Sequence, residues 1–308
     1  RERLILPGMA VFLVAAVVCI IVPPGRFVSV AMYWTSALAL GMIHPATIAW
    51  VNSGEPASKS VRSRGVSGNL VRFCISWNLG VLAAQFGGGE LFLISPRLPF
   101  IVSAAVMLVN LGIAVAVARV MGRARVRAIA KIDSASASAN GDSAEAPAHG
   151  PNPETAAADS LSDTFVRLAW LANLGGAIAV SMMLHLFPRL AVGLGVPADN
   201  HGAILASMRV VAIAVYVLLH HTAFWQYRFS ISLTVQSIAV AGLLCIAAAQ
   251  STVMLLVGVW GVSVLLGFNY FSGIYYGSAG HEEERRGFAS GMHEATLGLG
   301  IAIGSAGG

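Results

Sequence analysis

The chain has 308 residues, of which 56% are hydrophobic and 11% charged, with a formal net charge of +5. Soluble domains carry roughly 25% charged residues, so this composition excludes a soluble globular enzyme and implies a multi-pass membrane protein. The basic residues lie in short stretches between apolar runs rather than on one face, which argues against a nucleic-acid partner and for a lipid bilayer.

Runs of about 20 apolar residues, long enough to cross a hydrocarbon core, recur nine times. They lie near residues 5–23, 27–51, 69–95, 98–120, 165–187, 202–224, 229–249, 252–276 and 288–308. Cys19, Cys74 and Cys245 sit inside such runs without metal-ligand or CxxC spacing, so they read as helix cysteines and no metal site is expected. Between the fourth and fifth runs the composition changes. Residues 121–162 open with Arg123, Arg125, Arg127 and Lys131, then turn to Ala, Ser, Asp, Asn, Gly and Pro. That stretch cannot bury a core and reads as a disordered linker. It separates an N-terminal membrane half, 1–120, from a C-terminal half, 163–308. With residue 1 on the cytoplasmic side and alternating spans, 13 Lys and Arg residues fall in cytoplasmic segments and three opposite. The bias places the linker in the cytoplasm of a plasma or inner membrane.

The two halves echo one another. In the third run Gly80, Ala84, Gly87 and Gly88 stand at i, i+4, i+7 and i+8; in the ninth, Gly300, Gly304, Gly307 and Gly308 repeat that spacing. Each set forms a smooth helical stripe suited to close helix packing. The second and eighth runs also correspond, Leu40-Gly41 with Leu266-Gly267, at a constant offset of 226 residues. Such an offset fits a duplicated unit of six spans.

This pattern resembles the major facilitator superfamily, whose members join two six-helix halves through a cytoplasmic loop. The family's fifth helix carries G-x-x-x-G-P-x-x-G-G, echoed in the eleventh. Residues 80–88 keep the first glycine and the final pair but have Ala84-Gln85 at the central Gly-Pro; residues 300–308 keep four glycines, with Ser305 at the proline position. The resemblance implies an all-α polytopic fold of two pseudo-symmetric six-helix halves. The chain would run from helix 3 into helix 11, a piece of a longer protein lacking the first two helices and the last. It further implies a secondary active transporter that moves a small solute by alternating access, with protons as a candidate coupling ion. The alternative is a transport-inactive relative acting as a membrane sensor or scaffold. No nucleophile–base arrangement marks an enzyme, no cofactor is expected, and no GxxxxGK[ST] loop is present to bind ATP.

Charged groups inside spans cost about 2.5–3.5 kcal/mol each on insertion scales, which selects the candidate substrate or proton pathway. Glu294 is the one acid well inside a span, and His293 adjoins it. A carboxylate there could exchange a proton, or could reach water or Arg286 at the span end. Arg209, expected about a turn and a half into the sixth run, could hold an anion, pair with an acid in another span, or snorkel to the interface. Asn78 and Gln85 share a face of the third run with Cys74, and are expected to line a central cavity. His44, Asn269 and Tyr276 lie on the second and eighth runs, which correspond to cavity-lining helices of the family. Helix–helix hydrogen bonding accounts for them equally well. The run His281–Arg286 has consecutive acids that cannot share one helical face; they sit at a helix N-terminus, where negative charge is favoured, and the run reads as a solvated loop.

Overall fold

The structure is a computed structural model that describes residues 2–22, 26–51, 64–138, 153–278 and 283–307. Every described element is helical: α1 Glu2–Ile21, α2 Arg26–Val51, α3 Arg64–Ile94, α4 Leu98–Ser138, α5 Pro153–Gly193, α6 Ala198–His221, α7 Phe229–Ala247, α8 Thr252–Ser278 and α9 Glu283–Gly307. Each of the nine expected apolar runs lies on one of them, but α2 and α9 are not among the candidate membrane spans of the described residues. Seven (α1 and α3–α8) contain stretches long and apolar enough to cross a membrane, the architecture of a polytopic helical membrane protein.

The ends of the helices depart from expectation at three places. α4 and α5 are each 41 residues long, about 60 Å at 1.5 Å per residue, twice the ~30 Å hydrocarbon core. They carry helix into 121–138 and 153–162, where a disordered linker was expected. Ala, Arg and Lys there are good helix formers, and local propensity favours the helix. Residues 139–152 lie outside the described residues. α6 begins at Ala198, four residues before the expected span, in the polar stretch Ala198–Gly202. α9 begins at Glu283, so Glu283–Arg286 form its first turn rather than a loop, with the acids at the N-terminus where the helix dipole favours them.

Two compact units can be distinguished, the first made of Arg1–Ile43 and Phe100–Ala157, the second of His44–Pro99 and Ala158–Gly308. In the first, Gly8 of α1 lies so close to α2 that a Cβ on it would stand 2.8 Å from Ile43 Cγ1 and 3.1 Å from the Ala39 carbonyl.

In the second unit, small residues set the helix spacing. Gly242 of α7 and Gly258 of α8 face each other: a Cβ on Gly242 would lie 2.7 Å from the Gly258 carbonyl oxygen. Gly267 of α8 seats against Val215 of α6, and Gly277 of α8 against Ala289 of α9. α3 and α6 run antiparallel and in step. Ser67 Oγ meets His220 Nδ1 at 3.0 Å, Asn78 meets Arg209, and the Gln85 carbonyl meets Gly202. The intervals of eleven and seven residues are the same on both helices. These are close to three and two helical turns, so one face of each helix stays turned to the other throughout.

One end of this unit is closed by an aromatic cluster. Trp225, fully buried, packs against Phe268, Phe271, Tyr275 and Tyr276 with ring centroids 5.0–6.2 Å apart. Its indole N–H is shared between the carbonyls of Leu219, at 2.8 Å, and Thr222, at 2.9 Å. It thereby satisfies backbone acceptors left open where α6 ends.

Candidate functional site

Glu294 stands eleven residues into α9, about 17 Å from its start. Its side chain is 8% exposed. The Tyr270 hydroxyl of α8 donates to Oε1 at 3.1 Å, and His44 Nδ1 of α2 stands 3.6 Å from Oε2. His44 is positioned by the edge of Trp77 in α3, with ring centroids 4.2 Å apart. Pro45 follows it inside α2 and leaves a helical carbonyl one turn back without its N–H donor.

His293 adjoins Glu294 in sequence but faces another way. Its ring is fully buried, and neither nitrogen makes a hydrogen bond. It packs edge-on to Tyr270 at 5.3 Å and lies directly on Gly273, where any side chain would collide with the imidazole. Asn173 of α5 donates to the His293 carbonyl at 2.9 Å and to Thr296 Oγ1 at 3.2 Å, tying α5 to this stretch of α9. A carboxylate, an imidazole and a phenol therefore converge from α9, α2 and α8. Chemically the set can hold a proton on the carboxylate or the imidazole while the Tyr270 hydroxyl donates to the carboxylate in either state.

A second polar group lies on the α3–α6 ladder. Arg209 stands eleven residues into α6, mid-helix rather than a turn and a half from its end, because the helix starts earlier than expected. Arg209 Nη1 donates to Asn78 Oδ1 at 3.4 Å. Asn78 Nδ2 in turn donates to the Tyr216 hydroxyl at 3.2 Å and to the Cys74 carbonyl at 2.9 Å. Asn78 and Cys74 are 1% and 0% exposed, so this part of α3 is sealed against α6 instead of lining open space. Gln85, two turns on, has its Oε1 buried without a hydrogen-bond partner.

Asn269 and Tyr276 hold helices and loops together. The Gln236 amide of α7 donates to Asn269 Oδ1 at 2.9 Å, and Asn269 Nδ2 donates to the Ala172 carbonyl of α5 at 2.8 Å. Asn269 thus bridges three helices. The Tyr276 hydroxyl accepts from the Tyr227 backbone N–H at 3.3 Å and donates to the Trp225 carbonyl at 3.4 Å, within the aromatic cluster.

The two glycine stripes differ. Gly300 and Gly304 lie on α5, where a Cβ would stand 2.6 Å from the Leu174 carbonyl and 2.5 Å from that of Ile178. Gly307 is looser, 3.9 Å from Met182 Cε, and Gly308 lies outside the described residues. Gly80, Gly87 and Gly88 would meet nothing within 4 Å. The α3 stripe therefore makes no close helix contact among the described residues; α3 packs through its Asn78/Gln85 face instead.

Tyr270 and Tyr216 join the two polar groups without having stood out in the sequence. The one available signal was chemical: a tyrosine hydroxyl within a span needs a polar partner. No three His, Cys, Asp or Glu side chains cluster to hold a metal ion among the described residues. No protein-family model matches the chain, and no curated protein matches it.

Proposed function

We propose that the chain is part of a secondary active transporter of major facilitator type, moving a small solute by alternating access with coupling to protons. The observation that carries this reading is the His44–Glu294 pair. It joins α2, before segment 121–162, to α9, after it, with the Glu294 side chain 8% exposed, and a buried ionisable group is costly unless it is paired or used. The Arg209–Asn78 bond likewise joins a helix before that segment to one after it. With Glu294 ionised and His44 protonated, the charges hold α9 to α2. A proton arriving on Glu294 removes that attraction and leaves only the Tyr270 hydrogen bond. Removing one charge from a buried pair is worth about 3–5 kcal/mol, enough to shift a two-conformation equilibrium by about two to four powers of ten. The proton thereby biases which side of the membrane the solute site faces.

The test is flux. Full-length protein reconstituted into liposomes with a pH-sensitive dye inside would be challenged with a panel of sugars, organic acids, amino acids, nucleosides and cationic drugs. A solute-dependent proton movement that Glu294→Gln abolishes supports the proposal. Solute flux without proton movement removes the coupling. Saturable binding with no flux for any solute replaces the transporter with a sensor or scaffold.

A further inference from the structure

We propose that Arg209, with the Tyr216 hydroxyl beside it, is the binding group for an anionic moiety of the solute, a carboxylate or a phosphate. This rests on the transporter reading and names the substrate class for it. A guanidinium carries five N–H donors and cannot be neutralised at physiological pH. At Arg209 these donors have one hydrogen-bond acceptor, the uncharged Asn78 Oδ1, at a long 3.4 Å. The Nε atom is buried with no hydrogen-bond partner. No carboxylate pairs with Arg209 among the described residues, and Glu294 is engaged by His44 and Tyr270.

Tyr216 adds to the imbalance. Its hydroxyl oxygen accepts from Asn78, while no hydrogen bond donated by its own proton is found among the described residues. The guanidinium and the phenol thus meet at one amide side chain, Arg209 on the Asn78 oxygen and Tyr216 on its nitrogen, mid-helix and with a full positive charge among them. Such a surplus is what a planar or tetrahedral oxyanion satisfies, through two parallel N–H···O bonds from the guanidinium and a third from the phenol. Asn78 acts as the positioning residue, since it bonds both partners and is itself anchored to the Cys74 carbonyl. Arg209 stands eleven residues into α6, midway along the helix, and a soluble anion is the occupant proposed.

The experiment uses the full-length protein in a neutral, lipid-free detergent and follows its thermal unfolding midpoint. Inorganic phosphate, succinate, gluconate and glucose 6-phosphate would be compared with glucose, choline and an anionic phospholipid. At least one soluble anion should raise the midpoint saturably. Arg209→Gln should weaken its half-saturation by more than about tenfold, with Arg209→Lys intermediate, since an ammonium keeps the charge and loses the paired geometry. The ligand-free midpoint of Arg209→Gln should equal or exceed that of the unaltered protein, because an uncompensated charge has been removed. A fall of several degrees in that ligand-free midpoint would mean that the cation is paired within the protein, and would overturn the proposal. Stabilisation by the anionic lipid alone would overturn it too, as would a panel in which no soluble anion acts. Stabilisation by glucose or choline alone would reject the anion but leave the transporter reading intact. Saturable anion binding without flux in liposomes would do the reverse.

Discussion

Gly202 of α6 rests on the backbone oxygen of Gln85 in α3, so close that a Cβ would stand 2.6 Å from it. Backbone cannot yield as a flexible side chain can. Gly202→Ala should therefore push the two helices apart and cost about 1–3 kcal/mol, the range for overpacking. Thermal unfolding in detergent is the measurement. An unchanged midpoint would show that α3 and α6 are not held at this spacing.

The two glycine stripes should answer alanine differently. Gly300→Ala and Gly304→Ala place a methyl against α5 carbonyls at 2.5–2.6 Å and should lower the unfolding midpoint. Gly80→Ala and Gly87→Ala meet nothing within 4 Å and should leave it unchanged or raise it, since alanine favours helix by up to about 1 kcal/mol over glycine. Equal sensitivity of both stripes would contradict the packing described.

Asn269→Leu removes the bonds to Gln236 and to the Ala172 carbonyl. Interhelical hydrogen bonds in membrane proteins average about 0.6 kcal/mol each, so a loss of about 1–2 kcal/mol in stability is expected. The half-saturation of any transported solute should stay within about twofold, because both bonds run between helices. A large change in half-saturation at full stability would place Asn269 in the solute site instead.

Glu294→Gln keeps an oxygen for the Tyr270 hydroxyl and removes the charge opposite His44. Solute exchange driven by a solute gradient alone should survive, while dependence of flux on a pH gradient between pH 5.5 and 7.5 should vanish. His44→Ala should give the same phenotype in weaker form, since Tyr270 still holds the carboxylate. Persisting pH-gradient dependence in Glu294→Gln would assign the coupling proton elsewhere.

Gly273→Ala puts a methyl into the His293 ring. The imidazole is fully buried and has little room to retreat, so a loss of about 1–3 kcal/mol is expected. His293→Ala in the same background should restore part of it. Absence of that rescue would separate the two residues.

The helices were legible because an apolar run of about 20 residues has few alternatives in a membrane. Their ends were not, for the same reason: Arg123–Lys131 and Ala198–Gly202 are polar yet helical, so hydropathy falls before the helix stops. That error placed Arg209 too near an end. Glu294 was visible as an acid inside an apolar run. His44 was visible only as a polar residue, because the pairing spans 250 positions of sequence and no local period carries that information. The glycine spacing in α3 suggested close packing, and the structure turns another face of that helix to its neighbour. A smooth stripe permits an approach without specifying a partner.

The α3–α6 ladder also has the geometry of a lever. Its tightest point, Gly202 on Gln85, lies 18 residues from the Ser67–His220 contact, about 27 Å along the helix. A tilt of about 10° pivoting at that glycine, a modest hinge motion, would part the far end by about 5 Å, wide enough to admit a file of water. The Arg209–Asn78 bond sits about 10 Å from the fulcrum and would stretch by nearly 2 Å, past breaking. A small rotation at one close contact would thus be magnified along the helix pair, and the guanidinium would part from its amide on the way.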